Sequence, residues 1–173
     1  MSRPFPRRRP VGSAPVELND WILAFHLLSA VALIAAQVVM LTTLASVWKS
    51  DDPARIATAG SVSRFGVPFV IAGSLGTVIF GIWLAISLDR YQLWDGWVIA
   101  ALVLWALGSH LGNTSGAVYR DSYQLAGSLA AEGQTSSPEL AETFGASRAF
   151  WMQVASSVVI LAILVVMIWK PGA

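Results

Sequence analysis

Four long apolar runs, each bounded by charged or aromatic residues, dominate the pattern of this chain. They lie at about residues 20–48, 67–88, 95–118 and 148–169. A helix needs about 20 predominantly apolar residues to cross the hydrocarbon core of a bilayer. Each run meets or nearly meets this length. The pattern therefore predicts an all-α fold, a four-helix transmembrane bundle, within one membrane domain over residues 17–173.

The polar connections between the runs carry signals for where helices start. Asn19 or Asp20 is expected to cap the first helix, and Asp52 followed by Pro53 predicts a second start. We expect the short interfacial helix that begins at Pro53 to break near residues 66–68, where the second span begins. The short connection over residues 89–95 makes the second and third spans antiparallel neighbours.

The last connection is the longest and predicts helix outside the bilayer. Only Gly127 interrupts the helix formers that follow the third run, so that helix should continue to Gly133. Ser137 and Pro138 predict a new start, and the fourth helix would then run to Trp169 over roughly 48 Å. Because the hydrocarbon core is only about 30 Å thick, we expect helices three and four to extend beyond it as a paired hairpin.

The composition fits a chain whose main partner is the lipid bilayer. Of the 173 residues, 55% are hydrophobic and 12% are charged, against about 25% charged in an average soluble domain. The formal net charge of +1 gives no reason to expect a nucleic-acid partner. The absence of cysteine excludes disulfides and thiolate catalysis.

The distribution of charge bears on orientation. Residues 1–16 are rich in arginine and proline and predict a disordered basic tail. Four crossings place both termini on one side of the membrane, and the positive-inside rule makes that side cytoplasmic in a cell membrane such as the bacterial inner membrane. That side carries six basic residues against five opposite it: Arg3, Arg7, Arg8, Arg9, Arg90 and Lys170, against Lys49, Arg55, Arg64, Arg120 and Arg148.

The second span carries small residues at a helical spacing. Gly73, Thr77, Gly81 and Ala85 recur every four positions and therefore line one helix face. In lipid, helices associate through close backbone approach, because there is no hydrophobic drive between them. We interpret this stripe as a helix-packing face, without predicting which helix packs on it.

The spans lack ionisable residues in their interiors, apart from two histidines, His26 and His110. This argues against a proton-coupled transporter or a voltage sensor, which need charges inside the membrane. The other polar side chains that we single out are Gln37, Asn113 and Gln153. His26 and Gln37 differ by only about 20° around the first helix, so this face should point into the bundle.

Two interpretations of the histidines stay open. His26 would ligate haem b or a metal, or it would hydrogen-bond another helix. His110 would mark a polar cavity, or only the depth at which its helix enters the headgroups. The predicted depths of the two differ by roughly 15 Å, which favours a single-histidine site or two separate sites over one shared haem. We predict no catalytic residues and no metal site held by protein ligands alone.

Two short motifs carry a family resemblance. They are FHLLSA at residues 25–30 and VMIWKPG at residues 166–172, together with the glycine-bearing second span. With these motifs the chain resembles the DUF2269-type four-span integral membrane proteins, which are similar in plan to copper-resistance-D-like and HemJ-like membrane proteins. The resemblance implies that His26 occupies the position of a haem ligand in the HemJ-like group.

Three functions follow from these observations. The first is a non-enzymatic subunit or scaffold of a membrane complex, whose partners are other membrane subunits or further copies of the chain. The second is a haem- or metal-binding redox protein that uses His26, alone or together with His110. The third is a small transporter.

Overall fold

The structure, a computed structural model, describes residues 17–87 and 92–170. These residues form five α-helices and no strand: α1 (Leu18–Ser46), α2 (Pro53–Ser87), α3 (Gly96–Ala131), α4 (Pro138–Thr143) and α5 (Arg148–Trp169). Four helical stretches are long and apolar enough to cross a membrane, the last counted from Pro138 to Trp169. The predicted all-α four-span bundle is confirmed. The predicted basic tail lies outside the described residues.

Local hydrogen bonds and backbone conformations account for several helix ends. The Asp52 carboxylate accepts an N–H hydrogen bond from the first turn of α2 at 2.9 Å, so that Asp52 caps this helix ahead of Pro53, as the sequence predicted. Gly133 follows α3 at φ +78°, a left-handed conformation that glycine adopts without strain. Helix α1 begins earlier than expected, because Glu17 precedes it and donates its N–H to the Asp20 carboxylate at 3.0 Å.

Helix α2 is continuous, and our expectation of a break near Gly66 and Pro68 is wrong. A proline inside a helix removes one hydrogen bond and crowds the preceding turn. Here contacts before Pro68 hold the helix in place: Gly66 packs against Met40 of α1, and Gly60 packs against Tyr123 of α3. Over its 35 residues α2 is about 52 Å long, well beyond the thickness of the hydrocarbon core.

The spans pack as two close pairs, α1 with α2 and α3 with α5, and α2 joins the pairs by packing on α3. Neighbouring spans are antiparallel, so the start of α1 and the end of α5 lie at the same end of the bundle. There the Lys170 ammonium lies 5.5 Å from the ring centroid of Trp97. At the other end the rings of Trp48 and Phe150 meet edge-on, with centroids 4.4 Å apart.

The largest fully buried side chains gather at that second end. We call this region the cap and define it as residues 47–64 and 119–149. In it Ile56, Leu140 and Phe144 have no exposed surface. Two tyrosines of α3 pack against the Phe144 ring, with centroids 5.5 and 5.3 Å away. The cap therefore has a hydrophobic core of its own, where the apolar spans end.

The cap is built differently from the hairpin that we expected. Helix α3 does continue to Ala131, but the helical stretch that begins at Pro138 is divided into α4 and α5. The Ser147 hydroxyl accepts the Phe150 N–H at 3.3 Å and so starts α5 as a separate helix. In the cap, α3 is accompanied by the first turns of α2. The predicted hairpin of helices three and four is therefore not confirmed.

Candidate functional site

The glycine-bearing face of α2 lies directly against α1. A Cβ at Gly73 would come within 2.7 Å of the Leu33 backbone nitrogen and 2.9 Å of the Ser29 carbonyl oxygen. The absence of a side chain at Gly73 thus allows the two backbones to touch. Of the other positions predicted for this face, Thr77 donates its hydroxyl to a carbonyl of its own helix at 2.7 Å, and Ala85 is buried.

His26 is held in the same α1–α2 contact. Its Nδ1 lies 2.9 Å from the Thr77 carbonyl oxygen, and because a carbonyl only accepts hydrogen bonds, Nδ1 carries the proton. Nε2 is then an acceptor, and no described residue hydrogen-bonds it. Gly81 leaves room for the ring, since a Cβ there would lie 3.0 Å from the His26 Cε1. Histidines that bind metals usually have their other ring nitrogen fixed in this way.

Gln37 and Gln153 belong to a layer of polar groups inside the bundle. The Gln37 amide donates to the Ser157 hydroxyl at 2.6 Å and so joins α1 to α5. The Ser115 hydroxyl donates to the Gln153 side-chain oxygen at 2.8 Å and so joins α3 to α5. Gln37 and Ser115 are buried. An unpaired polar group in hydrocarbon costs several kcal/mol, so the Gln37 bond fixes how the two helix pairs meet, and the Ser115 bond fixes α3 against α5.

The serine partners in this layer are the functional groups that sequence reasoning missed. Besides Ser115 and Ser157, Ser156 donates its hydroxyl to the Gly108 carbonyl at 2.9 Å, and this bond also joins α3 to α5. A signal was present in the sequence: Gln153, Ser156 and Ser157 recur three and four residues apart within an apolar run. That spacing places them on one helix face and indicates a face turned away from lipid.

His110 and Asn113 lie on the opposite side of α3 from this layer, and both side chains are exposed. Thr114 beside them is also exposed, but its hydroxyl donates to the His110 carbonyl at 2.8 Å. The structure thus brings Gln37 and Gln153 into one layer. It places the two histidines in separate surroundings, His26 between α1 and α2 and His110 on the outer surface.

Two shallow grooves lie where the cap meets the spans. In one of them the Arg55 guanidinium donates to the Ser46 carbonyl. The other is lined by Lys49, Glu142 and Arg148, among others. Within residues 17–87 and 92–170 there is no group of three or more His, Cys, Asp or Glu side chains placed to hold a metal ion.

One family model matches the chain over residues 20–171, which is nearly its whole length. The chain belongs to the DUF2269 family. The DUF2269 model is described as a predicted integral membrane protein, in agreement with the resemblance noted in the sequence and with the four spans. No curated protein and no solved structure matches the chain. Membership of DUF2269 therefore establishes an integral membrane protein, and its role has to be inferred from the geometry.

Proposed function

We propose that this DUF2269 protein is a non-catalytic integral membrane subunit, which docks a partner protein on its cap. The observation that supports this role is the buried core of the cap around Ile56, Leu140 and Phe144. Connections between membrane helices need only a few residues. A connection with a packed core instead presents a fixed surface outside the spans, and a docking subunit needs such a surface.

The charges of the cap suggest the chemistry of the partner. Arg64, Arg120 and Arg148 each stand where the apolar run of their helix begins or ends, at the level of the lipid headgroups. Basic residues are favourable there because anionic lipids attract them. Apart from these arginines and Asp121, the cap exposes five acids against two basic residues, Lys49 and Arg55, so we expect a partner with a basic surface. These acids are Asp51, Asp52, Glu132, Glu139 and Glu142.

The same proposal includes a location and an orientation. We infer that the protein lies in a cell membrane of the bacterial inner-membrane type. Six basic residues on the side of the termini against five on the other side favour cytoplasmic termini. The cap would then face the outer side of that membrane.

Charge reversal on the cap tests the docking role. We expect Glu139→Lys combined with Glu142→Lys to reduce the partner that co-purifies from native membranes by about tenfold or more, since several unfavourable charge contacts together cost more than about 1.4 kcal/mol. The measurement is quantitative mass spectrometry of the proteins retained by the tagged full chain.

The matched control is Gln92→Lys, which adds positive charge at an exposed position at the other end of the bundle. It should retain the partner at the wild-type level. Equal retention of the partner by the cap variant and the wild type would contradict docking on the cap. So would a wild-type preparation with which no other protein co-purifies in stoichiometric amount.

A second candidate function, haem or metal binding, is favoured by the geometry of His26. The Thr77 carbonyl fixes Nδ1–H and leaves Nε2 available as a ligand. The described residues offer no set of three metal-binding side chains, so they fit a haem held by one histidine better than a metal ion held by protein ligands alone. A bound haem would supply one-electron redox chemistry. His26 would hold the haem through its imidazole, and the Thr77 carbonyl would fix the orientation of that ring.

An absorption spectrum of protein purified from its native membrane, oxidised and then reduced with dithionite, tests this candidate. Haem bound at His26 should give a Soret band that His26→Ala abolishes. His110→Ala should leave it unchanged, because His110 lies on a different surface. A wild-type spectrum without visible bands, or a band that survives in His26→Ala, would exclude the site.

A further inference from the structure

The outer surface of α3 differs from the lipid-facing surfaces of the other spans. Away from the span ends, the exposed positions on α1, α2 and α5 are apolar, with side chains such as Leu28, Ile79 and Leu161. The exceptions on α1 are Thr42 and Ser46, whose hydroxyls bond to carbonyls of their own helix. Helix α3 instead exposes an imidazole and a carboxamide in the third predicted span.

We call this surface the α3 outer face. Its residues recur three and four positions apart, so they form one stripe along the helix. The stripe lies opposite the buried residues Ala101, Gly108, Ser115 and Ala126. Its members are Ala106, His110, Asn113, Ala117, Asp121 and Gln124.

Polar side chains inside a membrane face a protein partner or a polar cavity far more often than lipid. The imidazole of His110 and the amide of Asn113 can each donate and accept a hydrogen bond, and hydrocarbon offers neither. We propose that a second copy of this chain covers the α3 outer face, so that two α3 helices lie side by side in a symmetric dimer.

Symmetry favours a second copy over an unrelated helix. Two copies inserted in the same orientation are related by a two-fold axis along the membrane normal, and each then meets the same face of the other. His110 and Asn113 lie about 60° apart around α3, on opposite edges of the stripe. Across such an axis, His110 of one copy therefore faces Asn113 of the other, and the pairing occurs twice.

The two-fold axis also pairs the charged residues at the end of the stripe. Arg120 and Asp121 are largely exposed, and their side chains lie 3.8 Å apart on one copy. They are about 100° apart around the helix, again toward opposite edges of the α3 outer face. A two-fold axis therefore brings Arg120 of one copy beside Asp121 of the other. The surface is complementary to itself in charge as well as in hydrogen bonding.

Small residues allow the two helices to come close. Ala106 lies one turn before His110, and Ala117 lies one turn after Asn113. Alanines that flank a polar pair in this way let two backbones approach, so that short side chains can meet. The α3 outer face thus combines close approach with polar pairing, the two features that hold helices together in lipid.

This inference goes beyond the proposed function and does not depend on it. The dimer contact lies on the α3 outer face, mainly within the span, whereas the partner protein is proposed to dock on the acidic outer surface of the cap. Either contact can fail while the other persists.

Cysteine cross-linking tests the dimer, because the natural chain contains no cysteine. Ala106→Cys lies on the α3 outer face. Leu161→Cys, whose native side chain is 58% exposed on α5, serves as a control at a similar depth. Oxidation in native membranes should give a disulfide-linked dimer for Ala106→Cys and at most a trace for Leu161→Cys. No dimer from Ala106→Cys, or equal dimer from both, would overturn the proposal.

A second measurement tests the pairing of His110 with Asn113. It follows the dimer fraction of the labelled full chain in liposomes as the protein density is decreased. We expect Asn113→Leu to raise the dissociation constant about tenfold, as the loss of interhelical hydrogen bonds would. Thr114→Val should leave it unchanged, because the Thr114 hydroxyl bonds within its own helix. A monomeric wild type at every density would overturn the proposal and would leave lipid or another protein as the neighbour of α3. An Asn113→Leu variant that associates like the wild type would overturn it as well.

Discussion

At the scale of single residues, glycines set how closely the helices approach. Gly73 brings the α2 backbone onto the α1 backbone, whereas Gly116 of α3 has no atom within 4 Å of the place where a Cβ would be. Both residues are glycines within membrane-spanning helices, α2 and α3, but their surroundings differ. The packing contact, and not the backbone conformation, is therefore what requires glycine at position 73.

Alanine substitutions at Gly73 and Gly116 test whether packing requires glycine at each position. Gly73→Ala should lower the unfolding free energy by about 1–3 kcal/mol, because the new Cβ would lie 2.7 Å from the Leu33 backbone nitrogen. Gly116→Ala should be neutral or stabilise the protein by up to about 1 kcal/mol, since alanine is the better helix former. Unfolding of both variants in a mixed-micelle denaturant titration measures the difference. Equal stabilities would show that α1 and α2 do not touch at Gly73.

At the scale of helices, the spans could be predicted because lipid imposes a simple rule on length and polarity. The start at Asp52 and the stop at Gly133 could also be predicted, because each depends on a few neighbouring residues. The continuity of α2 could not be predicted. The local penalty of Pro68 is visible in the sequence, but the contacts of Gly60 and Gly66 that oppose it come from other helices.

The surroundings of the polar side chains in the spans could not be predicted from the sequence either. Helical periodicity puts His110 and Asn113 on one face of α3, but it does not say whether that face turns inward. That depends on which side of α3 packs on α2 and α5, and Ser115 and Gly108 decide it through their contacts with α5. Likewise, nothing near His26 in the sequence indicates that its ring nitrogen bonds to the Thr77 carbonyl, 51 positions away.

At the scale of the whole molecule, the orientation inferred for the protein makes a prediction for the cap. In the cysteine-free chain, Glu139→Cys would place one thiol at an exposed position of α4. If the termini are cytoplasmic, a membrane-impermeant maleimide should label this thiol without the inner membrane being broken. The measurement compares labelling in intact spheroplasts and in lysed membranes. Labelling that appears only after lysis would place the cap on the cytoplasmic side and contradict the inferred orientation.

Helices α2 and α3 run from the cap into the spans without interruption over 35 and 36 residues. Each helix is thus more than 50 Å long, and α2 stays helical through Pro68, where it enters the lipid. If such a helix moves as a rigid rod, a tilt of about 5° imposed at the cap would displace its opposite end by about 4–5 Å. A force applied at one surface of the membrane would therefore be transmitted as movement to the other.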